Sequence, residues 1–179
     1  MSTNNIVKVE NIMTKKAVAL RPDDSIEKAT KMFEEYNYDG FPVVNEDGRL
    51  VGIVTAYDMV SQSYNTHLPS MVSILEDIYR EKSDEKHLIE QFNKAKTVKI
   101  KDMMNIDPLV VGPDVRVEDL AKEFMEHHRV NPIPVIDPEK KLLGIVSRLD
   151  ILRFFDEKYL NKVLQESGHS GILKRLDRI

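Results

Sequence analysis

An internal repeat constrains the fold more than any other feature of this sequence. The segment LVGIVTAYD at 50–58 returns as LLGIVSRLD at 142–150, which places Gly52 and Gly144 92 positions apart. Each copy is an apolar, β-branched run followed by a hydroxyl residue, two spacers and an aspartate. This pattern predicts a buried strand that leads into a helix. A hydroxyl and a carboxylate at such a strand-to-helix corner suit a small polar ligand.

The chain around these copies repeats in the same order. Residues 6–64 and 97–156 each predict strand, helix, strand, strand and helix. Repetition this consistent predicts two similar units related by a pseudo-two-fold axis. We therefore expect an α/β (α+β) fold of two β-α-β-β-α repeats at 6–64 and 97–156. A helical insert at 65–96 separates the repeats, and a C-terminal helical extension follows at 157–179.

Composition narrows the classes of function. The chain has no cysteine, which excludes disulfides and thiolate chemistry and fits a cytoplasmic protein. Its net charge of −4, with both signs interspersed, gives no basic face for nucleic acid and no patch for anionic lipid. No apolar run approaches the ~20 residues that a membrane span needs, and the first residues lack the layout of a signal peptide.

No catalytic or metal-binding pattern is found in the sequence. The neighbouring His127 and His128 point to different faces of a predicted helix, and the other three histidines are isolated. Phosphate-binding loops, nucleophile elbows and zinc-protease motifs are absent from the sequence. We therefore expect a protein that is not an enzyme and that holds no metal.

The two corners have a structural interpretation and a functional one. Thr55-x-x-Asp58 and Ser147-x-x-Asp150 each match a capping box, in which the side chains satisfy the first amides of a helix. Two observations favour a ligand. Aspartate is shorter than the usual Glu or Gln of a capping box, and the preceding glycine lets a ligand or another backbone segment come close.

The ordered motifs of both halves resemble a tandem pair of cystathionine-β-synthase (CBS) domains, known as a Bateman module. The matching segments are NIMT at 11–14 and DMMN at 102–105, PVV at 42–44 and PVI at 134–136, and the two glycine strands with their corners. The resemblance implies two small sheets packed together and two clefts between the repeats. It implies that these clefts bind AMP, ADP or ATP, with or without Mg²⁺, and that no cofactor is required. It also implies a regulatory, energy-sensing module that forms a homodimer and signals to an effector protein.

The resemblance also assigns roles to residues by motif position. Asp58 and Asp150 would hold ribose hydroxyls, while Thr55 and Ser147 would contact ribose or phosphate. The adenine would lie against the backbone of one of two walls: the first wall is Asp39, Gly40, Phe41 and Pro42, and the second wall is Asn131, Pro132, Ile133 and Pro134. Each cleft would pair the aspartate of one repeat with the wall of the other.

Arg148 distinguishes the two corners, because it is the only cation inside either one. It is either a surface cation on a helix or a phosphate ligand. The second wall carries Pro132 where the first has Gly40, which removes an amide donor and adds bulk. We therefore expect the cleft of Asp150 and the first wall to be the better nucleotide site. The alternatives are S-adenosylmethionine, NAD or cyclic di-AMP as the ligand, or a structural dimerisation module with empty clefts.

Overall fold

The chain forms two compact units, and each unit takes residues from both repeats. The computed structural model describes residues 7–61, 96–153 and 156–166, together with residues 79, 86, 89–90, 93 and 168. One unit is Val18–Pro108, called here the Asp58 unit. The other, the Asp150 unit, joins Met1–Ala17 to Leu109–Ile179. Most of the helical insert predicted at 65–96, and most of the predicted C-terminal extension after residue 166, lie outside the described residues.

Both units contain helices and strands. Numbered in chain order over the described part, the elements are α1 (Val9–Ile12), β1 (Thr14–Lys15), α2 (Ile26–Tyr36), β2 (Gly40–Val44), β3 (Leu50–Thr55), α3 (Ala56–Ser61), a 3-10 turn (Ile100–Asp102), α4 (Val117–Glu126), β4 (Ile133–Ile136), β5 (Leu142–Val146), α5 (Arg148–Leu152) and α6 (Glu157–Glu166). None of these helices is long and apolar enough to cross a bilayer.

The Asp58 unit is built on the β2–β3 hairpin. The strands are antiparallel from Gly40 opposite Thr55 to Val44 opposite Leu50, with a register shift near the turn. Helix α2 packs against them, and the Ser25 side chain caps its start by accepting the Lys28 amide. The first strand that the sequence predicts in this repeat is reduced to one parallel bridge, between Leu20 and Val43. The core side chains are apolar and come from every layer: Leu20, Ala29, Met32, Phe41, Val43, Val54, Ile100 and Met103.

The Asp150 unit repeats this plan and, among the described residues, adds β1, α1 and α6 to it. Strands β4 and β5 pair from Ile133 opposite Val146 to Ile136 opposite Leu142, and β1 adds to the other edge of β5. Helix α4 ends at Glu126, so His127 and His128 follow the helix and do not lie on two of its faces as the sequence predicted. Helix α6 confirms the helix predicted after the second repeat. The core residues are Val9, Ile12, Val111, Leu120, Phe124, Ile133, Val135, Val146 and Val163.

The segment that leads into each repeat packs in the unit of the other repeat's sheet. In the Asp150 unit Thr14 pairs with Ile145, and in the Asp58 unit Asn105 pairs with Ile53. This close approach explains the repeated glycines. A Cβ on Gly144 would lie 2.5 Å from the Thr14 carbonyl oxygen, and a Cβ on Gly52 would lie 2.7 Å from that of Asn105. The sequence left open whether a ligand or another backbone segment approaches these glycines. In the structure a backbone segment lies against each of them.

Candidate functional site

Each corner is a compact hydrogen-bonded turn at the end of a glycine strand. In the Asp58 unit, Oδ2 of Asp58 accepts the Thr55 amide at 2.8 Å and the Thr55 hydroxyl at 2.6 Å. In the Asp150 unit, Oδ2 of Asp150 accepts the Ser147 amide at 2.7 Å and the Ser147 hydroxyl at 2.8 Å. The capping-box interpretation is therefore correct for both corners. Aspartate reaches the amide of the hydroxyl residue in both corners, so the shortness of its side chain does not favour a ligand over capping.

Capping leaves the second oxygen of each buried carboxylate for another use. Asp58 is 5% exposed and Asp150 is 4% exposed. Such burial is costly for a charged group unless it is paired or hydrogen-bonded. Oδ1 of Asp150 accepts Nη1 of Arg153 at 2.9 Å. Within the described ranges, Oδ1 of Asp58 has no hydrogen-bond donor. The two corners therefore share one geometry but differ in the state of this oxygen.

The structure brings each wall to the corner of its own repeat. Gly40 pairs with Thr55 across the β2–β3 hairpin, and the Ala56 amide donates to the Asp39 carbonyl at 3.1 Å. In the Asp150 unit the Arg148 amide donates to Oδ1 of Asn131 at 3.0 Å. The wall and the corner of a repeat thus lie together at one end of a hairpin.

Most wall side chains belong to the protein interior. Phe41 and Ile133 are fully buried in the two cores. Gly40, Pro42, Pro132 and Pro134 are also buried, whereas Asp39 is exposed and Asn131 is half-buried. The peptide bond between Asn131 and Pro132 is cis. Phe41 and Ile133 therefore serve the two cores, and the contact of adenine with the wall backbone stays a prediction. The pairing of Asp150 with the first wall, and of Asp58 with the second, stays a prediction.

Arg148 holds the end of helix α4. Its Nη1 donates to the Val130 carbonyl at 3.0 Å, and its Nη2 donates to the carbonyls of Phe124 and His127 at 3.1 Å each. Its guanidinium carbon also lies 4.9 Å from the centre of the Phe124 ring. The Phe124 carbonyl lies in the last turn of the helix, where carbonyls lack intrahelical donors, and the carbonyls of His127 and Val130 belong to the segment that follows it. Arg148 therefore has a structural role, and a phosphate contact by it stays a prediction that would require some of these bonds to break.

Two residues near Asp150 were missed by the sequence reasoning. Arg153 follows Asp150 by three positions, which is the spacing at which helical side chains meet, so an opposite charge there was a readable signal. Tyr159 on α6 donates its hydroxyl to the Ile12 carbonyl at 3.3 Å. Burial raises the pKa of Tyr159, and the charge of Asp150 raises this pKa further. No local sequence pattern signals this second neighbour.

Metal binding finds no support in the part of the chain that the structure describes. No three or more His, Asp or Glu side chains there are arranged to hold a metal ion. The chemistry at each corner is that of hydrogen-bond acceptance by a buried carboxylate, with a hydroxyl beside it. This arrangement suits recognition of a polyol or an amine.

Comparison with known proteins assigns the family. The family model described as "CBS domain" matches residues 9–64 and 100–157, well over half of the chain. The uncharacterized protein MJ1426 of Methanocaldococcus jannaschii is 31% identical over 153 residues, which are 82% of this chain and 90% of that protein. Other curated relatives are longer: the chain spans 48% of one and 23% of another, an inosine-5'-monophosphate dehydrogenase.

Solved structures agree with the fold. The crystal structure of CBSX2 in complex with AMP superposes with a TM-score of 0.62 at 24% identity, covering 84% of this chain and 96% of that one. The CBS domain pair of protein MJ0100, in complex with 5'-methylthioadenosine and S-adenosyl-L-methionine, superposes with a TM-score of 0.60 at 23% identity, covering 86% and 98%. The α+β fold that the sequence predicted is confirmed. With a CBS match in each repeat and CBS pairs as structural neighbours, this chain belongs to the CBS domain family as a tandem pair.

Proposed function

We propose that this chain is a regulatory module that binds an adenine nucleotide of the AMP, ADP or ATP class and passes the signal to an effector protein. The observation that carries the proposal is the buried carboxylate of each corner. Asp58 keeps Oδ1 without a donor among the described residues, at 5% exposure. A buried acceptor of this kind gains most from a ligand that donates hydrogen bonds to it, as ribose hydroxyls do.

The relatives add support for the ligand class. CBSX2 is named in complex with AMP, and the CBS pair of MJ0100 with 5'-methylthioadenosine and S-adenosyl-L-methionine. These ligands share an adenine and a ribose and differ in what is attached at the 5' position. Adenosine recognition is therefore the common element that we carry to this chain. An alternative within the same class is an adenosyl ligand without phosphate.

The proposed signal arises from the corner itself. The carboxylate that would receive the ribose also caps the start of α3 or α5 through Oδ2. A ligand that binds one arrangement of this helix better than another shifts the population toward it. The helix then presents a changed surface to a partner. An effector protein that recognises this surface completes the proposed function, and a chain without cysteine fits a cytoplasmic setting.

We also propose a homodimer formed through α3 and α5. Both helices expose an apolar pair at the same two repeat positions: Tyr57 and Val60 are 63% and 52% exposed, and Leu149 and Leu152 are 56% and 58% exposed. Exposed apolar stripes of this kind favour association. Sedimentation equilibrium of the Leu149→Glu/Leu152→Glu variant should give a monomer where the wild type gives a dimer. A wild-type monomer, or a variant that remains dimeric, would count against this surface.

A ligand panel tests the proposed function. The melting temperature is measured with AMP, ADP, ATP, S-adenosylmethionine, NAD and cyclic di-AMP, for the wild type and for Asp58→Asn and Asp150→Asn. Asparagine keeps the size of the side chain but replaces one acceptor oxygen by a donor. The exposed turn variant Asp47→Asn serves as the control. We expect at least one adenine nucleotide to stabilise the wild type and Asp47→Asn, and to stabilise one or both corner variants less.

The same panel separates the competing hypotheses. A wild-type protein that no adenosine derivative stabilises would support a structural dimerisation module. Stabilisation by S-adenosylmethionine but not by AMP would reassign the ligand. Ligand stabilisation that persists unchanged in both corner variants would reject the roles of Asp58 and Asp150.

A further inference from the structure

The two corners differ in one neighbour that the repeat does not share. Oδ1 of Asp150 is paired with Nη1 of Arg153 at 2.9 Å. The equivalent position after Asp58 is Ser61, which carries no charge. The capping bonds of Oδ2 are the same in both corners. Arg148, which has Ala56 as its counterpart, donates its guanidinium to the carbonyls of Phe124, His127 and Val130 and not to Asp150. A single substitution between the repeats therefore changes the charge beside the carboxylate.

The position of Arg153 allows it to move. Its side chain is 47% exposed, while that of Asp150 is 6% exposed, so the guanidinium lies at the solvent side of the carboxylate. The buried carboxylate must stay hydrogen-bonded when the guanidinium leaves, and ribose hydroxyls that donate to Oδ1 meet this need. A ribose that donates to Oδ1 of Asp150 can therefore displace Arg153 at small cost. The displaced guanidinium then stands beside the bound sugar with no carboxylate to neutralise it.

We propose that Arg153 is a specificity-determining residue, which makes the Asp150 corner select adenosine ligands that carry a 5'-phosphate. The inference rests on the proposed function, since it presumes that Asp150 receives the ribose. Without phosphate, a ligand replaces the guanidinium at Asp150 with its ribose hydroxyls but offers Arg153 no new anion. With phosphate, the released guanidinium gains an anion to which it can donate two parallel hydrogen bonds. The Asp58 corner, with Ser61, accepts ligands with and without phosphate.

AMP and adenosine form the matched pair of probes, because they differ only in the phosphate. Titration calorimetry is done on Asp58→Asn, which retains only the Asp150 corner, and then on Asp58→Asn/Arg153→Gln. We expect Arg153→Gln to weaken AMP about tenfold or more, the effect of losing a hydrogen bond between charged groups. Adenosine should bind equally well or up to about fivefold more tightly, because it no longer competes with the guanidinium. The ratio of the two dissociation constants is the readout, since a general loss of structure would change both in the same direction.

Two controls complete the experiment. Arg116→Gln makes the same substitution at an exposed arginine of the same unit and should leave the ratio unchanged. The converse variant, Ser61→Arg in an Asp150→Asn background, should raise the preference of the Asp58 corner for AMP.

The outcomes separate this inference from the proposed function. If the wild type binds neither probe nor any other adenosine derivative, the proposed function fails. If the wild type binds but Asp58→Asn does not, the proposed function stands and this inference is overturned. It is equally overturned if Arg153→Gln changes both dissociation constants by the same factor, leaves both unchanged, or weakens adenosine. A fall of the AMP preference, with adenosine binding retained, supports it.

Discussion

Replacing Gly144 by alanine tests whether the repeated glycine serves the fold. A Cβ at this position would lie 2.5 Å from the Thr14 carbonyl oxygen and 3.2 Å from Sδ of Met13. The nearer atom is backbone, and the pairs of Thr14 with Ile145 and of Lys15 with Gly144 fix it in place. The strand β1 must therefore move away from β5 or the sheet must distort. Overpacking of this kind costs about 1–3 kcal/mol.

Gly112→Ala is a matched control in the same unit. A Cβ there would meet nothing within 4 Å, and its φ lies outside the left-handed region. Alanine at such a position changes the free energy of unfolding little, or raises it by about 0.4–1 kcal/mol through the unfolded chain. Urea unfolding followed by circular dichroism gives the free energies of both variants.

We expect Gly144→Ala to be about 2 kcal/mol less stable than the wild type, which lowers the melting temperature by about 4–8 °C for a chain of this size. Amide exchange at residues 14 and 15 should also become faster, because their pairing with β5 weakens. A Gly144→Ala protein that unfolds within about 0.5 kcal/mol of Gly112→Ala would refute the close-approach explanation. Loss of AMP binding without loss of stability would instead indicate that Gly144 leaves room for the ligand.

Three further predictions concern charged and hydroxyl groups. Arg148→Met should lower the free energy of unfolding by about 1–3 kcal/mol, measured by urea unfolding, because three carbonyls in and after the last turn of α4 lose a charged donor. An unchanged stability would contradict this role. The hydrogen bond from Lys101 lowers the pKa of Asp23, so this pair stabilises the fold above the usual carboxyl pKa, and that contribution is lost as the pH falls through the lower folded value. The Asp23→Asn variant should therefore lose less free energy of unfolding than the wild type as the pH falls. An equal loss in both proteins would contradict a stabilising pair between Asp23 and Lys101. Burial raises the pKa of Tyr159, so the free energy of unfolding should fall as the pH rises from about 10 through the pKa of Tyr159 in the folded protein. Tyr159→Phe should remove this part of the fall when unfolding is measured over an alkaline pH series.

Local features of the fold could be predicted from the sequence because the same pattern occurs in both repeats. The hairpins β2–β3 and β4–β5 follow directly from apolar strands joined by short polar turns, and both show the same register shift near the turn. The sequence could not predict that the segment leading into each repeat pairs with a strand of the other repeat. Thr14 and Ile145 are far apart in sequence, and an identical repeat pattern would result if each segment packed on its own repeat.

The site shows the same division between local and distant contacts. The bonds between Thr55 and Asp58 are local and match the capping motif. Arg148 lies close to Asp150 in sequence, which suggested a phosphate ligand. Its partners in the structure are carbonyls near the end of α4, which are distant in sequence. Arg153 was within reach of sequence reasoning, because the three-residue spacing from Asp150 on a helix predicts an ion pair.

Calorimetric titration of AMP into the wild type and the Asp58→Asn/Asp150→Asn double variant tests the central claim most directly. If buried carboxylates at the two corners receive the ribose, the wild type binds AMP and the double variant does not, while circular dichroism shows that both are folded. At AMP concentrations of ~100 times the dissociation constant, the wild type should gain about 2.7 kcal/mol of unfolding free energy and the double variant none. AMP binding of equal affinity to both proteins would contradict the account.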